Sequence, residues 1–169
     1  DMRKRILSVI LITLACALPA TADPTIKVIN FTANWCPVCR MLDPRLHDAV
    51  ERFEDRGAIL VNLDQTRLTR TDDIANAALM ESLHQLTASH NAAYLWDWYG
   101  GHAGIAVIVA ADNGEPLTCI TSALTTNQIA DLLQESVILA TRVRAGARRP
   151  KGTNCPPPKE GGAIDALIP

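Results

Sequence analysis

Charge of one sign is what this sequence most conspicuously lacks. Sixteen Lys and Arg stand against eighteen Asp and Glu, a formal net charge of −2, which argues against nucleic acid as the main partner, since that needs a concentrated basic surface. No apolar run is long enough for a permanent membrane span. Ile6 to Leu18 is apolar but is interrupted by Ser8 and Thr13, and a spanning helix needs about 20 residues. Cysteine is sparse: Cys16, Cys36, Cys39, Cys119 and Cys155 are too few and too unevenly spaced for a disulfide-stapled miniprotein. Only one Cys-x-x-Cys occurs and the four histidines, His47, His84, His90 and His102, are scattered, so a four-ligand metal site has no evident donor set. Proline is absent between Pro44 and Pro116, and no internal repeat is present.

What is there suits one globular domain. The chain has 169 residues, 48% of them apolar, enough for a substantial core and too apolar for a disordered chain. Its first residues follow a secretory pattern: Arg3, Lys4 and Arg5, the apolar stretch, then Ala20-Thr21-Ala22 as a cleavage site. This predicts a signal peptide over 1–22 with Met2 as the true start, a mature start at Asp23, and a periplasmic or secreted protein. Such a compartment is oxidising, where disulfides persist. Leu14-Ala15-Cys16 raises the alternative of a lipid anchor, with Thr13 where Leu is usual.

Ile26 to Thr32, rich in β-branched and aromatic residues, predicts a strand. Val38, Leu42, Leu46, Val50 and Phe53 form a helical stripe that Gly57 ends, and Ala58 to Leu63 is a second strand, together a βαβ unit. Thr71 to Ala88 reads as a helix capped by Thr71 and lined by Leu79, Leu83 and Leu86. Ile105 to Ala110 and Pro116 to Thr121 flank the turn Asp112-Asn113-Gly114, as a hairpin would. Thr125 and Gln128 make a capping box before a last helix striped by Ile129, Leu132, Leu133, Val137 and Ala140. From Gly146 to Pro169 the composition turns to Pro, Gly and basic residues, which predicts a flexible tail.

The chemistry lies in Trp35-Cys36-Pro37-Val38-Cys39, at the junction of the first strand and first helix. A thiol at a helix N-terminus meets unpaired N–H groups and the positive end of the dipole, which stabilise its thiolate. Cys36 is the expected nucleophile, forming a mixed disulfide that Cys39, one turn on, resolves. Pro37 suits the first helical position, whose N–H needs no partner.

Phe31-Thr32-Ala33-Asn34-Trp35-Cys36, Pro44 five residues after Cys39, and Asn62-Leu63-Asp64 resemble the thioredoxin family, and Thr before Ala is similar to the periplasmic domain of the transmembrane disulfide reductases. The resemblance covers about Ile26 to Ala140. It implies an α/β, thioredoxin-like three-layer sandwich with a mixed sheet of about four strands, in residues 23–145. Three departures stand out. The family's cis-proline has no counterpart, and Gly104-Ile105 occupies its place. Asn30 stands where a buried Asp is common. The stretch from Asp64 to Ile105 is long, and four of the seven aromatics fall within Tyr94 to Tyr99.

The resemblance implies an extracytoplasmic thiol-disulfide oxidoreductase, a reductase or isomerase. Its catalytic residues would be Cys36 and Cys39, and its substrate contacts Trp35, Pro37, Trp96, Trp98, Gly104 and Ile105. Partners would be the thiols and disulfides of exported proteins and a membrane electron donor. A monomer without metal, cofactor or nucleic acid is expected. The alternatives are a redox-inactive binding module and a metal-delivery protein using the Cys-x-x-Cys. For the aromatic stretch, a substrate platform and a satellite core filled by alternate rings are the two readings, and they can coexist. Cys119, in an apolar strand, reads as a small buried hydrophobe. Cys155 is free to pair with it or with another protein.

Overall fold

The computed structural model describes residues 23–158. The predicted signal segment and Cys16 lie outside the described residues.

Four strands form one sheet in the order β2-β1-β3-β4. These are β1 (Ile26–Thr32), β2 (Ala58–Asp64), β3 (Ile105–Ala110) and β4 (Pro116–Thr121). The β1–β2 pair is parallel, joined through helix α1 (Pro37–Glu51), and the other pairs are antiparallel. The two central strands are the most buried, and β3 is buried along its whole length, as a strand covered on both faces must be.

Strand alternation sorts the core into two layers. Ile26, Val28, Ala106 and Ile108 face α1 and α4 (Thr126–Arg142), meeting Leu42, Leu46, Ile129 and Leu133. Ile29, Phe31, Val107 and Val109 face α2 (Asp73–Ser89) and α3 (Ala93–Tyr99). This is the three-layer arrangement expected from the sequence. Full burial of an aliphatic side chain such as Leu42 or Leu46 is worth about 1.5–3 kcal/mol, so the α1 stripe docks the helix that carries Cys36. Gly57, at φ +82, turns the chain from a short 3-10 turn (Glu54–Arg56) into β2, and Thr25 packs where its Cβ would be.

Local signals placed most boundaries, and tertiary packing moved the others. Thr125 and Gln128 form the expected capping box. Asp72, not Thr71, caps α2, its carboxylate accepting from the Ala75 N–H at 2.9 Å. Of the predicted α2 stripe, Leu83 is buried while Leu86 lies at the exposed margin, 36% accessible. The unforeseen helix is α3, formed by AYLWDWY. Tyr and Trp are weak helix formers, and burial of Leu95, Trp96 and Tyr99 supplies what propensity does not.

The chain beyond Gly146 is pinned in its described part rather than free. Arg148 is 5% exposed. It donates to both Asp112 carboxylate oxygens at 2.8 and 2.6 Å, and to the carbonyls of Ala140 and Val143 at 3.1 and 3.2 Å. Cys155 is disulfide-bonded to Cys119 of β4, and the Tyr99 hydroxyl donates to the Pro156 carbonyl at 2.7 Å. Composition reports a segment's own stiffness, not the partners elsewhere in the chain that these contacts supply.

Candidate active site

Cys36 is the N-cap of α1, and Pro37 occupies the first helical turn. The Cys36 Sγ accepts a hydrogen bond from the Cys39 N–H at 3.1 Å, so the sulfur itself satisfies one of the amides that a helix start leaves open. A negative charge developing on Cys36 would sit at the positive end of α1. Cys36 and Cys39 are joined by a disulfide. Both are buried in this state, Cys39 more completely, at 1% exposure against 5%. Pro37 is exposed, as are Val38 and Met41, while Trp35 is half-buried beside the cysteines.

The backbone of Gly104 forms the wall next to this disulfide. A Cβ there would lie 2.7 Å from the Val38 Cγ1 and 3.5 Å from the Cys36 Sγ. Gly104 also has φ +92 and donates its N–H to the Phe31 carbonyl at 2.8 Å. A left-handed residue pressed against side chains has to be glycine. Among the described residues no peptide bond is cis. Ile105 is the first residue of β3, in register with Phe31 and Thr121. Its side chain is buried in the layer facing α2 and α3. Gly104 therefore adjoins the sulfur, whereas Ile105 packs in the core, because strand alternation turns it from Cys36.

The two indoles of α3 lie in another cluster. Trp96 is 8% exposed and packs against Phe31, ring centroids 6.4 Å apart, with Gly100 lying directly on its indole. Trp98 is half-buried and meets Tyr94 and Tyr99 edge-on. Both belong to the cluster around Phe31 and Leu95, separate from the Cys36–Cys39 cluster with Trp35 and Ala103. A short helix with i, i+3 and i+4 aromatic neighbours turns its rings into the core. These indoles fill the core layer that faces α2 and α3.

Behind Cys39 lies a cleft of about 670 Å³ lined by Thr32, Cys39, Asp43, His47, Asn62 and Asp64, among others. The parallel register sets Asn30 beside Asn62, on the sheet face that meets α1. Asn30 is fully buried and its Nδ2 donates to Asp43 Oδ1 at 3.1 Å and Asn62 Oδ1 at 3.0 Å. Thr32 Oγ1 donates to Asp43 Oδ2 at 2.6 Å. Asn30 Oδ1 is buried without a partner. A carboxylate is thus present in this layer, on α1 instead of β1. Asp43 and Thr32 were missed as site residues, although Asp43, four residues after Cys39, shares its helical face.

The sequence itself has known counterparts. Residues 20–96 match the thioredoxin family model. Thioredoxin H4 of Arabidopsis thaliana is 44% identical over 41 residues, covering 24% of this chain and 34% of that protein. Thioredoxin of Ophiophagus hannah is 31% identical over 48 residues, covering 28% of this chain and 46% of that protein. These matches span less than half of each relative's length. A solved thiol:disulfide interchange protein of the thioredoxin family, from Chlorobium tepidum TLS, aligns with a TM-score of 0.42 and 16% identity, over 67% of this chain and 80% of that one. The βαβ unit, the antiparallel β3–β4 hairpin and the Cys-x-x-Cys disulfide at the head of α1 make up a thioredoxin-like fold, and residues 20–96 are similar to the thioredoxin family.

Proposed function

We propose that the protein is an extracytoplasmic thiol-disulfide oxidoreductase acting as a reductase or isomerase of exported proteins. The observation that carries this reading is the Cys36 sulfur at the N-cap of α1, accepting from the Cys39 N–H and bridged to Cys39.

In the reduced protein the Cys36 thiolate attacks one sulfur of a partner disulfide. A Cys36–partner bond forms, the partner's S–S bond breaks, and the leaving sulfur departs as a thiolate. Cys39 then loses its proton and attacks the Cys36 sulfur, regenerating the Cys36–Cys39 disulfide and releasing the partner as a dithiol. The partner has gained two electrons and the protein has lost them. A membrane electron donor restores the dithiol, and the reverse sequence makes the same pair an oxidant.

Export is supported by the predicted signal segment and by the second disulfide, Cys119–Cys155, which suits an oxidising compartment. Among the described residues no helix is long and apolar enough to cross a membrane. The decisive experiment is turnover of a disulfide-bonded protein substrate with a chemical reductant. Cys39→Ser is expected to accumulate mixed disulfides and Cys36→Ser none. Absence of turnover by the wild-type protein, with its Cys36–Cys39 pair intact, would sink the proposal.

A further inference from the structure

Gln65, the residue immediately after β2, is fully buried. Its backbone remains tied to the sheet, the N–H donating to the Thr32 carbonyl at 2.8 Å and the carbonyl accepting from the Leu68 N–H at 2.9 Å. Its side chain crosses to the loop between α3 and β3. There Oε1 accepts from the Gly101 N–H at 2.7 Å and Nε2 donates to the His102 carbonyl at 2.6 Å. A primary amide offers one acceptor and a donor side by side, complementary to a backbone N–H and C=O. A carboxylate could reproduce only the first of these bonds, and an aliphatic side chain neither.

The clamped loop needs such support. Gly100, Gly101 and Gly104 fall within five residues, and Gly101 and Gly104 have φ of +84 and +92. Glycine-rich backbone is the least stiff of any, with the largest entropy to lose on ordering. Yet this loop ends at the Gly104 backbone, whose Cβ position lies 2.7 Å from Val38 and 3.5 Å from the Cys36 sulfur. Gly100 seats one end of the loop on Trp96, the Gly104–Phe31 hydrogen bond ties the other, and Gln65 holds the middle.

We infer that Gln65 is a positioning residue for thiol-disulfide exchange with polypeptides: through Gly101 and His102 it fixes the Gly104 wall along which a substrate chain must lie to present its disulfide to Cys36. The inference rests on the oxidoreductase reading above and adds to it a residue that positions the polypeptide substrate. An extended polypeptide disulfide meets the wall, whereas a compact small-molecule disulfide reaches the sulfur without it.

The test compares wild type with Gln65→Leu and Gln65→Glu. It measures kcat and KM for a disulfide-bonded peptide, the rate with a small aromatic disulfide, the Cys36–Cys39 potential against glutathione, and hydrogen exchange at the Gly101 amide. Gln65→Leu is expected to raise KM for the peptide about tenfold, inside the roughly hundredfold that a 1 Å misplacement can cost. Its kcat, small-disulfide rate and potential should stay at wild-type values while Gly101 exchanges faster. Gln65→Glu keeps an acceptor for the Gly101 N–H but sets an oxygen against the His102 carbonyl, so it too should raise the peptide KM while leaving Gly101 better protected than Gln65→Leu does; it also keeps the question open to measurement if Gln65→Leu fails to fold. An unchanged peptide KM in the variants, or a parallel fall of peptide and small-disulfide rates, overturns the inference while leaving the oxidoreductase reading in place. No turnover of either disulfide by the wild type defeats that reading itself.

Discussion

Cutting the Cys119–Cys155 bridge should destabilise the domain far more than opening Cys36–Cys39, and should leave the chemistry of Cys36 untouched. The partners are 36 residues apart in sequence. In the chain-entropy treatment, closing a loop of that length removes about 13 cal/mol/K from the unfolded ensemble, or about 4 kcal/mol at 25 °C. Cys36 and Cys39 are 3 apart, and the same expression gives about 2 kcal/mol. For a domain of this size about 4 kcal/mol corresponds to a Tm lower by roughly 10–15 °C. The assay is thermal and urea unfolding of Cys119→Ala/Cys155→Ala beside Cys36→Ala/Cys39→Ala, with disulfide turnover measured on the first. Alanine suits the bridge because Cys119 is 5% exposed among apolar neighbours, where a serine hydroxyl would carry its own desolvation cost. A bridge variant within about 1 kcal/mol of wild type would refute the loop-entropy argument. Loss of turnover in a still folded bridge variant would refute the separation of staple from active site.

Gly104→Ala should lower both stability and use of a peptide disulfide, because it places a methyl 2.7 Å from Val38 at φ +92; the left-handed backbone alone costs about 1–2 kcal/mol, read by urea unfolding. Asp43→Ala strips the acceptor from Asn30 Nδ2 and Thr32 Oγ1 and should cost about 1–3 kcal/mol, with Asp43→Asn losing less. The Arg148 guanidinium beside Asp112, chiefly through its hydrogen bond, holds that carboxyl below its ordinary value of 3.8. A carboxyl depressed in the folded state contributes stability above its unfolded pKa and loses it as pH falls through the folded one. The Tm gap between wild type and Asp112→Asn should therefore be constant near neutrality and shrink below pH 3.8, and a gap that widens there would contradict the assignment. N-terminal sequencing of protein made in an exporting host should begin at Asp23; a cytoplasmic, full-length product would defeat the export proposal.

What was legible from residues alone is what short-range physics decides. Ile26–Thr32, Ile105–Ala110 and Pro116–Thr121 are strands with the bounds expected of them, because β-branched runs bounded by turn residues have few alternatives. The placement of Cys36 at a helix start followed from Pro37 and the stripe from Leu42 to Val50. Tertiary structure decided whatever required two distant segments to meet. Asp43 reaches the site layer because the β1–β2 register aligns Asn30 with Asn62 beneath α1. The aromatics of α3 turn inward because Phe31 and the Gly100 backbone receive them. Cys155 meets Cys119, and Gln65 meets Gly101 and His102, across 36 residues of sequence or more. Side-chain periodicity records which face of an element is apolar, but not which element will cover it, and a lone Gln or Cys has no period to read.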